Sequence, residues 1–154
     1  MAYDESYNEP ETVEVLFKSL GGADVPEYAM TGDAGADLRT RMAVDLAPFQ
    51  RALVPTGVAL ALPNGYVGLV HPRSGLAVKM GVTVLNAPGT IDAGYRGEIK
   101  VPLINLDPHE SVHFEPGERI AQLVIQRYVQ ARFVPAERLP GSARSDSGFG
   151  STGR

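Results

Sequence analysis

Short apolar runs, each broken off by glycine or proline, constrain this chain more than any other feature. Seventeen glycines and twelve prolines fall between such runs along 154 residues. The pattern argues for an all-β fold with many turns. Val13, Val15 and Phe17 alternate as one face of a strand would, which predicts a strand over 12–19. Further strands are expected over 36–40, 44–46, 51–62, 66–71, 98–106, 111–114, 119–129 and 131–134. Pro63-Asn64-Gly65 reads as a tight hairpin turn. One short helix is expected over 74–80, with Ser74 as its N-cap and with Leu76 and Met80 facing the core. About ten short strands at regular spacing imply a sandwich or a jelly-roll barrel.

The most informative stretch is 86–97, Asn-Ala-Pro-Gly-Thr-Ile-Asp-Ala-Gly-Tyr-Arg-Gly, set between the apolar runs 82–85 and 99–104. Two strands joined by a long glycine-punctuated loop suggest a hairpin whose tip carries function. Glycine lets backbone approach a ligand closely. Asp92 could orient a water, and Tyr95 could lie flat against a sugar or base.

Composition narrows the function. There is no cysteine, which excludes disulfides, thiolate chemistry and cysteine-ligated metal sites. A net charge of −4 argues against duplex nucleic acid as a partner. No apolar run is long enough to span a membrane. Residues 1–11 are polar and acidic and read as a flexible leader rather than a secretory signal, so the expectation is a soluble cytoplasmic protein. Residues 12–139 read as one β domain, and 140–154 as a flexible Gly/Ser/Arg/Asp tail. The tail either stays disordered or orders over a ligand. Arg144 and the run Gly148-Phe149-Gly150-Ser151-Thr152-Gly153 favour the second, because glycine amides, hydroxyls and a guanidinium wrap phosphate oxygens.

Three further clusters carry potential chemistry. Pro72-Arg73-Ser74-Gly75-Leu76 stands where a strand gives way to the helix; it is either an anion site or a plain cap with an exposed arginine. Asp33 and Asp37 flank a glycine turn, as local hydrogen-bonding groups or as carboxylates for hydrated Mg²⁺. Gln122 is a polar residue inside the apolar run 120–124, so it needs a partner: a core hydrogen bond or a phosphate. His71, beside Pro72, reads as packing more readily than as a site residue.

The order of these clusters is decisive. The segments 33–38, 72–76, 89–97, 117–123 and 148–153 resemble, in sequence, the five motifs of the trimeric dUTP pyrophosphatases (dUTPases), over roughly residues 13–153. The resemblance implies a jelly-roll homotrimer whose three sites each draw on all three subunits. It implies hydrolysis of dUTP to dUMP and pyrophosphate with Mg²⁺, by attack of water on the α-phosphorus. Such an activity limits uracil incorporation into DNA and supplies dUMP for dTMP synthesis. By matched position, Asp92 resembles the residue that orients or deprotonates the water. Asp37 resembles the carboxylate that holds Mg²⁺ through its water shell. Arg73, Ser74, Gly75 and Gln122 look like phosphate contacts. Asn86 and the backbone of Gly89, Thr90, Ile91 and Asp92 match the uracil-reading hairpin. Tyr95 resembles the ring that packs on deoxyribose, and Lys100 a further nucleotide contact. Arg144, Phe149 and Gly150 match the closing tail, with Arg144 on the γ-phosphate and Phe149 on uracil.

Two other readings fit part of this pattern. dCTP deaminases share the fold and the phosphate motifs, but they need a glutamate close to the base and lack such a tail. The Asn-Ala-Pro-Gly-Thr ahead of Ile91 matches the dUTP hydrolases better. A nucleotide-binding trimer without turnover would have lost catalytic residues, whereas Asp92, Arg73, Ser74 and Arg144 are all present.

Overall fold

The structure, a computed structural model, describes residues 10–141. Ten strands and one helix lie among them: β1 (Leu16–Ser19), β2 (Gly35–Arg39), β3 (Val44–Leu46), β4 (Arg51–Ala61), β5 (Tyr66–His71), α1 (Ser74–Met80), β6 (Val82–Val84), β7 (Gly89–Ile91), β8 (Glu98–Asn105), β9 (Val112–Phe114) and β10 (Arg119–Arg127). The strands form one four-stranded sheet in the order β1-β4-β8-β6, a second in the order β2-β10-β5-β7, and a β3-β9 ribbon. Every pairing is antiparallel. The all-β expectation with one short helix is met, but the strands make two sheets and a ribbon and do not close into a barrel.

One apolar cluster joins both sheets and the ribbon. Val54, Val101 and Leu103 come from the first sheet, Leu38, Val70 and Ile120 from the second, and Leu46 and Phe114 from the ribbon. Strand periodicity explains the selection. Along β8, Ile99, Val101, Leu103 and Asn105 are buried, while the residues between them are exposed or half-buried. β4 departs from this period because its pairing with β8 shifts between Pro55 and Ala59. Gly57 sits in that irregularity at φ +71, where a Cβ would meet the Ala23 Cβ and the Leu20 carbonyl oxygen at 2.6 Å. Only glycine satisfies both demands.

Several boundaries differ from expectation. The first strand covers only Leu16–Ser19, and no strand forms at 131–134, where Phe133 is 92% exposed. An extended run needs a neighbouring edge for its backbone groups, and 131–134 pairs with none among the described residues. Gly65 adopts φ +87 and the Tyr66 N–H reaches the Pro63 carbonyl at 3.2 Å, so the expected turn is present. It is not a hairpin turn, because β4 and β5 belong to different sheets. The N-cap of α1 is Arg73, without a side-chain capping bond, and Ser74 is the first helical residue. Gly81 ends the helix in the left-handed conformation (φ 66), its N–H reaching the Ala77 carbonyl at 3.1 Å. Leu76 packs on the core, whereas Met80 is exposed.

Two polar features tie the ribbon in place. Asn105 is fully buried; its Nδ2 donates to the Leu46 carbonyl (3.0 Å) and the Glu110 carbonyl (2.8 Å), and its Oδ1 accepts from the Asp107 N–H (2.9 Å). On the surface, His113 Nδ1 pairs with Asp45 across the ribbon at 2.7 Å, and Nε2 lies 3.0 Å from Glu115. The Asp45 carboxylate, and then that of Glu115, raise the His113 imidazole above the usual histidine range.

Asn105→Ala would strand two carbonyls and an N–H at once, so a loss of about 3 kcal/mol is expected in urea denaturation. His113 gives a pH signature. Its proton is held more tightly in the folded chain, so the stabilisation is full below the unfolded histidine pKa and disappears as pH rises through the folded one. Urea midpoints of the parent protein should therefore exceed those of His113→Gln at low pH and converge with them in mildly alkaline buffer.

Candidate functional site

The site is assembled on the outer face of the second sheet. In β2, Ala36 and Leu38 are buried, so Gly35 and Asp37 face away from the core. In β10, Leu123 is buried, so Gln122 and Val124 face the same way. Register then aligns them. Gln122 lies opposite Asp37 on one side and His71 on the other, and Val124 lies opposite Gly35 and Leu69. Where β5 ends, the chain turns through Pro72 into α1, carrying Arg73, Ser74 and Gly75 over this face. The first intrahelical bond runs from the Ala77 N–H to the Arg73 carbonyl, so the amides of Ser74, Gly75 and Leu76 have no partner within the helix.

Asp37, His71, Arg73, Ser74, Gly75, Arg119 and Gln122 thereby line one cleft of about 470 Å³. The Asp37 carboxylate is 16% exposed and sits between two guanidinium groups, with Arg73 Nε at 3.8 Å and Arg119 Nη1 at 3.4 Å. Arg73 Nη1 donates to the Arg119 carbonyl at 3.2 Å. Gln122 Nε2 donates to the Pro72 carbonyl at 3.0 Å, which pins the strand-to-helix turn to β10. The partner Gln122 needs is thus a backbone carbonyl at the cleft wall. Asp33 also lines the cleft, but its Oδ2 accepts from the Met30 N–H at 2.9 Å, the local turn bond typical of aspartate.

The 86–97 loop forms a second constellation. β6 and β8 pair across it, as a hairpin requires, yet its middle forms β7, which pairs with β5 in the other sheet. β7 is an edge strand, so among the described residues one side of its backbone has no strand beside it. Gly89 approaches Val70 closely, and the Asn86 amide lies beside Gly89. The Asp92 carbonyl accepts from the Tyr95 N–H (3.0 Å), which closes a turn around exposed Asp92. The Tyr95 hydroxyl donates to the Glu98 carbonyl at 2.9 Å, fixing a ring that is 44% exposed. Lys100 lies 3.9 Å from Glu98 on the same strand.

These two constellations do not meet within one chain. Ile91 is level with Gly68 and the two strands run antiparallel, so Asp92 falls level with Val67, six residues short of Arg73 and roughly 20 Å from it. Asn86, Gly89, Thr90, Ile91, Asp92, Tyr95 and Lys100 are absent from the cleft lining. Arg144, Phe149 and Gly150 lie outside the described residues. Asp37 is the metal ligand that the resemblance implies, and no group of three or more His, Asp or Glu that could hold a metal occurs among the described residues.

Two cleft residues went unassigned by sequence reasoning. From sequence, His71 reads as packing more readily than as a site residue, yet it lines the cleft. Arg119 was hidden by a shift of register between Arg119 and Ala121. The signal for it was the adjacent apolar pair Ile120-Ala121, both of which are buried.

Two arginines, an amide side chain and amides without intrahelical partners share one cleft, a donor set suited to an anion. The dUTPase family model matches residues 22–153 of this chain. A deoxyuridine 5'-triphosphate nucleotidohydrolase of Bifidobacterium longum strain DJO10A is 72% identical, over 99% of this chain and 98% of that protein. One of the same name from Streptomyces coelicolor is 60% identical, over 92% of this chain and 78% of that one. Among solved structures, a variant of the Staphylococcus bacteriophage 80alpha dUTPase with dUpNHpp superposes with a TM-score of 0.86 at 32% identity, over 93% of this chain and all of that one. A variant dUTPase of S. aureus phage phi11, described as coordinating a structural Mg(II) ion, gives 0.75 at 26% identity over 82% of this chain and 98% of that one. The chain belongs to the dUTPase family, an enzyme family.

Gly35 is where the cleft can be tested without touching its charges. A Cβ there would collide with the Gln122 side chain, lying 2.9 Å from its Cδ. That chain can swing away only by releasing Pro72. Gly35→Ala is expected to cost about 1 kcal/mol or less in stability and to weaken tripolyphosphate binding about fivefold by calorimetry.

Proposed function

We propose that this protein hydrolyses dUTP to dUMP and pyrophosphate with Mg²⁺, as a homotrimer in the cytoplasm. The observation that carries this reading is the separation just described. One chain holds a polyphosphate cleft and, roughly 20 Å away, a loop bearing an exposed carboxylate and an aromatic ring. Neighbouring subunits in a closed ring would bring the loop of one to the cleft of the next.

The residues divide the work. The unpaired edge of β7 and the Asn86 amide meet the uracil edge as another strand would. Mismatched donors would reject cytosine strongly, while a tight wall against the 5-methyl of thymine discriminates more modestly. Tyr95, braced by its hydroxyl on Glu98, packs on deoxyribose and leaves no room for a 2′-hydroxyl. Lys100 adds a nucleotide contact. Arg73, Ser74, Gly75 and Gln122 hold the phosphate chain and stabilise the charge gathering on the leaving pyrophosphate. Asp92 orients a water and takes its proton as the oxygen attacks the α-phosphorus. The bond from the α-phosphorus to the α,β-bridging oxygen breaks, and its electron pair leaves with pyrophosphate. The tail closes with Arg144 on the γ-phosphate and Phe149 and Gly150 over the base, excluding other water.

The donor set fits a cation that arrives with the phosphates. A single carboxylate between two arginines makes no cage, and Mg²⁺ characteristically keeps its waters and leans on substrate phosphates. Asp37 would hold it through that water shell, and the ion would neutralise phosphate charge. The cellular role that follows is to limit uracil incorporation into DNA and to supply dUMP for dTMP synthesis.

Pyrophosphate release from dUTP, dCTP, dTTP and UTP with Mg²⁺ tests the activity. Turnover of dUTP alone is expected; preference for dCTP with ammonia release would sink it. Sharing between subunits has its own test. Asp92→Asn and Arg73→Ala should each be nearly inactive, yet an equimolar mixture unfolded and reassembled should regain about a quarter of wild-type activity. No recovery would place both residues of a site in the same chain.

A further inference from the structure

The register shift in β10 has a specific effect on Arg119. In a regular strand Arg119, Ala121 and Leu123 would share a face, and that face is the core side, where Ala121 and Leu123 are buried. The shift falls between Arg119 and Ala121, and both Ile120 and Ala121 turn inward. Arg119 is thereby placed on the face of Gln122, at the wall of the cleft. Bulges next to binding sites commonly re-aim a side chain in this way. Here the bulge turns a residue out of the core face and towards Asp37.

We propose that Arg119 is a positioning residue for the triphosphate, acting through both Asp37 and Arg73. Its guanidinium lies 3.4 Å from Asp37 Oδ2, and its carbonyl accepts from Arg73 Nη1 at 3.2 Å. Its backbone thus aims the phosphate-binding arginine, and its side chain offsets the carboxylate that would otherwise repel the phosphates. The charges lining the cleft are Asp33, Asp37, Arg73 and Arg119, with His71 beside them. Without the Arg119 charge, two carboxylates would face a polyanion with one guanidinium. Arg119 is 43% exposed, so its side chain is accessible to solvent and is not a buttress of the core. This inference rests on reading the cleft as the triphosphate site.

The test uses the full chain, with Mg²⁺-tripolyphosphate as the probe and steady-state dUTP kinetics alongside. Arg119→Gln keeps the carbonyl and removes the charge. It should weaken tripolyphosphate binding and raise KM for dUTP about tenfold, while kcat falls by less than about threefold. Arg119→Lys should recover most of the affinity, and binding by the parent should lose more affinity with added salt than binding by Arg119→Gln. Arg51→Gln removes the same charge from the other sheet and should stay within about twofold of the parent. Parent-like affinity in Arg119→Gln, a lysine variant as weak as the glutamine one, or a fall in melting temperature that accounts for the lost binding would each overturn the role. If tripolyphosphate binding depends on Arg119 but no nucleotide is hydrolysed, the functional reading fails and this one stands. If dUTP is hydrolysed equally by Arg119→Gln, this one fails alone.

Discussion

The seating of β10 between β2 and β5 is the constraint on which the rest of the molecule depends. Its ladders put Gln122 level with Asp37 and with His71, so residues from three distant parts of the sequence become neighbours roughly 5 Å apart. The inward residues of the same three strands close the core, so the pairing that stabilises the fold also builds the cleft. The Gln122 to Pro72 bond extends that order past the end of β5 into the helix start. A one-residue slip of β10 would exchange its faces, burying Gln122 and exposing Leu123.

Two departures from regular β structure do the placing that regular structure cannot. The bulge ahead of Ala121 puts two successive side chains into the core and leaves Arg119 beside Asp37. The 86–97 loop contributes a short strand to the opposite sheet from the one that holds its two ends. Pairing with β5 clamps the loop, so a segment that would otherwise wander presents Asp92 and Tyr95 from a fixed base. The same clamp carries Asp92 away from Arg73, so a dUTPase-family chain of this size holds its polar clusters in two places.

Much of this was legible in the residues. The strands 44–46 and 66–71 and the helix 74–80 have the expected limits, because apolar periodicity and glycine or proline punctuation act locally. The strand expected at 131–134 is missing because β propensity lacks meaning without an edge to pair with. Met80 was expected inside on spacing from Leu76; the helix packs only lightly, and Met80 lies in its last turn, on the solvent side.

The clusters 33–38, 72–76, 89–97 and 117–123 could be read from the sequence because turn chemistry, charge and glycine spacing are properties of adjacent residues. What the sequence by itself determined, then, was the β class, the family and which polar groups are candidates for a site. Only the tertiary structure decided which of those groups share a cleft. Asp37, Arg73 and Gln122 converge and Asp92 does not, because cross-strand register and edge position are set by pairing between segments far apart in the chain. Arg119 belongs with the former set for the same reason: which face a strand residue takes depends on every bulge before it, and a bulge exists only once a partner strand is in place.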